Sequence, residues 1–83
     1  MRIRYFAWLK QRTGCAEEEL ELSAGIETVA DLMALIGERH PRFKEAASGR
    51  GVVRCAVDQT HVEPDARLAG VREVAFFPPV TGG

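Results

Sequence analysis

The chain has little of what many small functional domains are built on. Its two cysteines, Cys15 and Cys55, are too few for a disulfide framework, and no C-x-x-C pair occurs. Cys15 follows Gly14 in an expected turn; Cys55 sits in an apolar run and reads as a small buried hydrophobe. Two histidines, His40 and His61, lie far apart without ligand spacing around them, so no metal site is expected. Excess charge of one sign is missing too. Eleven basic and 12 acidic side chains leave a net charge of −1, which gives no reason to expect a nucleic-acid or membrane partner. Neither a signal-peptide core nor an apolar run long enough to span a bilayer occurs, so the expected location is cytoplasmic. Internal repeats and low-complexity segments are absent.

What remains is one small domain of 83 residues, 46% hydrophobic and 28% charged, as suits a globular protein. Arg2 to Leu9 alternates, with Ile3, Tyr5, Ala7 and Leu9 on one face and Arg2, Arg4, Phe6 and Trp8 on the other. Period two predicts a strand. Lys10 to Gly14 reads as a turn, and Glu17 to Leu22 as a second strand joined to the first in a hairpin. Thr28 precedes Val29, Leu32, Met33 and Ile36, the spacing of an amphipathic helix. Thr28 and Asp31 resemble a capping box. Gly37 weakens the helix end and Pro41 blocks simple continuation; Phe43 to Ala47 suits another short helical turn. Ser48 to Gly51 reads as a loop and Val52 to Val57 as a third strand, with Val53, Cys55 and Val57 on one face. Asp58-Gln59-Thr60 is a turn, His61-Val62 a short extended piece, and Pro64-Asp65 another turn. Glu73 to Phe77 is the last strand, expected in the sheet's middle beside the first. The fold class is therefore α+β: a mixed-sheet roll with one main helix on one face.

One helix covers one face. Ile3, Tyr5, Val53, Val57, Val74 and Phe76 are expected to meet Val29, Leu32, Met33 and Ile36 in the core. Phe6, Trp8 and Phe77 fall on the other face, where clustered aromatics mark a protein interface. The alternatives are loops that cover them or scattered surface hydrophobes. Phe77 adjoins Pro78-Pro79, which stiffen the start of an extended arm. Val80 and Thr81 add reach, and Gly82-Gly83 make the slimmest end that can enter a narrow channel. The only chemical group this end presents is the Gly83 α-carboxylate. It is ionised near neutrality, so it is a poor electrophile until activated.

The run Glu73-Val-Ala-Phe-Phe-Pro-Pro-Val-Thr-Gly-Gly83 resembles the ubiquitin-like β-grasp sulfur carriers, and among them the small subunits of molybdopterin synthases. Tyr5-Phe6-Ala7, Thr28-Val29 with Leu32, and Val57-Asp58-Gln59-Thr60 support the resemblance, which spans nearly the whole chain. It implies a β-grasp domain over residues 1–77 and a flexible tail over 78–83. It implies an adenylating enzyme, related to ubiquitin activators, that uses ATP to turn the Gly83 carboxylate into an acyl-adenylate. A persulfide donor then leaves a thiocarboxylate there. The charged chain docks on the large synthase subunit, in a heterotetramer, and threads Pro78, Pro79, Val80, Thr81 and Gly82 into that subunit's active site. Its sulfur attacks cyclic pyranopterin monophosphate, and two charged chains are consumed per dithiolene. The chain itself binds no cofactor and is not catalytic alone.

The resemblance maps the docking patch to Phe6, His61 and Phe77. His61 departs from the apolar residue that family members can carry there, and an ordinary half-exposed sheet histidine is the other reading. Trp8 at the patch edge reads more readily as a local packing residue than as an anchor. Three other functions stay open: a sulfur carrier for thiamine, cysteine or tRNA thiolation; a ubiquitin-like modifier of target lysines; and a plain binding module. Prolines and glycines in the tail speak against the last.

Overall fold

A computed structural model describes residues 1–48 and 53–78. Its elements are β1 (Arg2–Tyr5), α1 (Leu9–Thr13), β2 (Glu17–Glu19), α2 (Val29–Arg39), α3 (Pro41–Ser48), β3 (Arg54–Val57), β4 (Thr60–Val62) and β5 (Glu73–Phe77). The five strands form one sheet in the order β2-β1-β5-β3-β4. β5 lies at the centre, parallel to β1 and antiparallel to β3. The expected place of the last strand beside the first is thus observed, as is the antiparallel pairing of β1 with β2.

The period-two pattern selects the core. Ile3, Tyr5, Cys55, Val74 and Phe76 point to one side of the sheet, where Val29, Leu32 and Ile36 of α2 and Phe43 and Ala46 of α3 cover them. Tyr5, Phe43 and Phe76 meet ring to ring, with centroids 5.4–6.3 Å apart. Edge-on pairs of this kind add to the stabilisation from burial alone. Met33, Val53 and Val57 pack against this core but are only half-buried.

The start of α2 follows the sequence closely. The Thr28 hydroxyl accepts from the Asp31 N–H at 3.2 Å, and the Asp31 carboxylate accepts from the Thr28 N–H at 3.1 Å and the Glu27 N–H at 3.0 Å. Those backbone bonds hold the Asp31 carboxyl below its usual range. The next free donors, the N–H groups of Val29 and Ala30, reach the carbonyls of Ala66 and Pro64 in the loop before β5. The helix start is thereby tied to that loop, and its unpartnered N–H groups are satisfied.

Three expectations fail. The first strand stops at Tyr5, not Leu9, because Ala7 turns the chain at a φ of 55°, in the left-handed region. Lys10 to Gly14 is not a plain turn: Leu9–Thr13 is a short helix that ends on Gly14 at φ 81°. Leu9 then reaches the core from a helix, and α1 is added to the expected main helix and the helical turn expected at Phe43 to Ala47. Finally, the second strand ends at Glu19, not Leu22. As expected, α2 ends before Pro41, at Arg39. A Cβ on Gly37 would sit 3.1 Å from the Lys44 Cβ, so glycine serves the close approach of α3 there and does not end the helix. The loop expected at 48–51 and the start of the third strand at Val52 fall mostly outside the described residues.

Candidate docking face and tail exit

The helix-free face of the sheet carries the candidate site. Cross-strand partners share a face, so the register Arg4–Ala75–Ala56–His61 lays one row across it. Phe77 and its partner Arg54 form the next row toward the exit of β5. The rings of His61 and Phe77 lie 5.1 Å apart in a tilted contact. Between them Ala56 is only 6% exposed, although it faces away from the helices and lies outside the main core. The two rings shield it, which leaves Phe77 half-buried. Beside them a recess of about 360 Å³ is lined by Arg54, Cys55, His61, Val62 and Glu63 among others. Burial, then the nearby Glu63 carboxylate, push the Cys55 thiol above its usual range, and its Sγ donates to the Val62 carbonyl.

Phe6 joins this face from the end of β1. Its N–H donates to the Phe76 carbonyl at 3.0 Å, which extends the parallel ladder one residue past the Tyr5–Phe76 pair. Its ring is 40% exposed, with the Arg4 guanidinium 5.0 Å from the centroid. Trp8 does not lie in a strand; it is the N-terminal flanking residue of α1 and is 37% exposed. The structure therefore brings Phe77, His61 and Phe6 to the exit end of the sheet, with Trp8 on the adjoining turn. Pro78 follows, half-buried. Pro79, Val80, Thr81, Gly82 and Gly83 lie outside the described residues.

Two polar devices hold the exit strand and the sheet beneath it. The Asp58 carboxylate, in the turn between β3 and β4, accepts from the N–H groups of Arg72 at 3.1 Å and Glu73 at 3.0 Å. The Asp58 N–H in turn donates to the Glu73 carbonyl at 2.9 Å. Asp58 thus fixes where β5 begins. Asp58 and Gln59 both have positive φ, 45° and 71°, as a two-residue hairpin turn of this hand requires.

The second device is a polar cluster under the edge strand. The Tyr5 hydroxyl donates to Glu18 Oε2 at 2.7 Å, and His40 Nε2 lies 2.9 Å from the same oxygen. Arg39 Nη2 is 3.5 Å from Oε1. Burial alone would raise the Glu18 carboxyl, but the bonds from Tyr5 and His40 and the charges of His40 and Arg39 hold it below its usual range. Burial, and next the bond to Glu18, push the Tyr5 phenol far up, so it stays a proton donor. Sequence reading treats these residues singly, and no spacing signal joins positions 5, 18 and 40.

Among the described residues no group of three or more potential metal-ligating side chains occurs, and no helix is long and apolar enough to cross a membrane.

The sequence matches the ThiS family over residues 3–83. It is 35% identical to the molybdopterin synthase sulfur carrier subunit of Escherichia coli K12, across all of this chain and 99% of that protein. The Pyrococcus furiosus protein designated molybdopterin converting factor, subunit 1 shares the fold with a TM-score of 0.76 and 34% identity, over 95% of each chain. Small archaeal modifier protein 1 of Haloferax volcanii superposes with a TM-score of 0.81 at 20% identity, over 95% of each chain, a likeness of fold alone. On the mixed five-stranded sheet, the helix-covered core and the full-length match, the chain belongs to the ThiS family and has the ubiquitin-like β-grasp fold.

Proposed function

We propose that the chain is the sulfur carrier subunit of a molybdopterin synthase. The observation that carries this reading is the His61–Phe77 ring contact at the exit of the central strand, with Phe6 hydrogen-bonded to the neighbouring Phe76, in a chain alignable end to end with a carrier subunit of that name. The cluster sits where a partner that holds it also fixes the direction of the tail.

The Gly83 carboxylate attacks the α-phosphorus of ATP on an adenylating enzyme, and pyrophosphate leaves. The outer sulfur of a donor persulfide displaces AMP to give an acyl disulfide, and a second thiol then cleaves the S–S bond, which leaves the thiocarboxylate and a disulfide. Once the chain is docked on the large subunit with Pro78 to Gly82 threaded into its active site, that sulfur attacks cyclic pyranopterin monophosphate, and water then cleaves the acyl–sulfur bond and restores the Gly83 carboxylate. Two charged chains serve each dithiolene, which fits a heterotetramer of two large and two small subunits. Adenylation supplies the leaving group that the ionised carboxylate lacks, and the thiocarboxylate is a nucleophile at neutral pH. The small subunit contributes position; acid–base chemistry belongs to the partner.

The test is reconstitution with the large subunit, the adenylating enzyme, ATP, a persulfide donor and cyclic pyranopterin monophosphate. The expected result is molybdopterin, with intact mass showing one oxygen of the chain replaced by sulfur. Removal of Gly83 abolishes sulfur transfer and leaves binding to the large subunit intact. A Gly83-deleted chain that still donates sulfur refutes the mechanism. Isopeptide conjugates to lysines in place of molybdopterin point to the modifier reading.

A further inference from the structure

Phe6 and Trp8 are the exposed large hydrophobics among the described residues. They stand two residues apart in one turn, closed by the Leu9 N–H donating to the Phe6 carbonyl at 3.1 Å. Ala7 between them has a φ of 55°, which a residue with a Cβ adopts at a cost. Backbone strain of this kind persists where surrounding structure enforces it, and it concentrates at functional positions. Each aromatic ring is also overlaid by a guanidinium: Arg4 at 5.0 Å from the Phe6 centroid and Arg12 at 5.5 Å from that of Trp8. Stacking fixes the exposed rings in place and so lowers the ordering cost of binding.

The segment from Phe6 to Gly14 carries Lys10 and Arg12 and no acidic residue. Neither has a carboxylate within ion-pair distance among the described residues, while Arg4 beside Phe6 reaches Glu73 at 3.7 Å. The chain as a whole is slightly acidic. A mixed aromatic and basic ledge within a balanced chain calls for a partner surface that is apolar and edged with carboxylates.

We infer that Trp8 and Arg12 form a second docking point, continuous through Phe6 with the Phe77–His61 patch, that engages carboxylates on the protein accepting the tail. This rests on the carrier reading, in which that protein is the large synthase subunit. Phe77 and His61 then set the tail's direction, and Trp8–Arg12 sets the rotation of the carrier about it. Two separated contacts define an orientation that one cannot.

The test is titration calorimetry of the full chain against the large molybdopterin synthase subunit of the same organism, at low and high salt. Trp8→Ala is expected to weaken binding about tenfold. Arg12→Glu is expected to weaken it at low salt and to flatten the salt dependence, because a screened attraction is lost. Lys44→Glu, the same charge reversal on α3 away from this face, is expected to leave affinity unchanged. Equal affinity for wild type, Trp8→Ala and Arg12→Glu overturns the inference while the carrier reading stands. Failure of the wild-type chain to bind the large subunit overturns both. Sedimentation showing a wild-type dimer that Trp8→Ala dissociates overturns it differently, since the ledge then serves a second copy of this chain. Equal melting temperatures for the variants establish that the contact, not the fold, has changed.

Discussion

At the scale of single residues, Glu18 shows how a few polar contacts make stability depend on pH. Its carboxylate receives the Tyr5 hydroxyl and lies against His40. Its folded pKa is depressed below the ordinary value of 4.5, so its stabilisation is fully present above that value and disappears as pH falls through the folded one. Glu18→Gln should therefore lower stability at neutral pH and flatten the loss below about pH 4.5, as urea melts at a series of pH values will show. Wild-type and variant curves that stay parallel into acid would exclude the role. This contact was not legible in the sequence. Tyr5 was readable as core, but its hydroxyl needed an acceptor whose identity only the fold decides. Ala7 was hidden for a related reason: left-handed backbone is announced by glycine, and here an alanine holds it.

At the scale of elements, the capping box of α2 was readable because its signal is local. Thr28 and Asp31 stand three residues apart and satisfy each other's N–H groups as that spacing demands. Thr28→Ala should cost about 1 kcal/mol of unfolding free energy in denaturant melts, with little change in sulfur transfer. A loss under about 0.3 kcal/mol would mean that the loop carbonyls of Pro64 and Ala66 already hold the helix start. The short helix α1 was not readable. Tyr5, Ala7 and Leu9 fit a two-residue period, yet Leu9 enters the core after a turn that breaks the strand. Five residues are too few for a helical period to show itself. Gly37 was legible as a weak helix end, but not as the place where a missing side chain makes room for Lys44.

At the scale of the molecule, the sheet separates the core from the proposed docking face between two neighbouring residues. Phe76 is fully buried among Tyr5 and Phe43, whereas Phe77 faces the helix-free side against His61. Phe76→Ala should cost roughly 3–5 kcal/mol in stability. Phe77→Ala should leave most of the stability but weaken the complex with the large subunit by roughly 1–3 kcal/mol. Calorimetry and melts on the pair would refute the division if Phe77→Ala changed stability alone. The central strand was legible from its apolar alternation, and the patch from the aromatics it left over. What escaped was the ring contact with His61, because only the β3–β4 register sets it beside Phe77. The parallel pairing of β1 with β5 also bears on biosynthesis. Ile3 sits beside Val74, so the sheet's centre joins distant segments and cannot close until β5 has left the ribosome. A nascent chain interrupted earlier lacks the middle of its sheet and stays open to proteolysis. A chain cut before Glu73 has no strand to join β1 to β3, so the two halves of its sheet cannot meet.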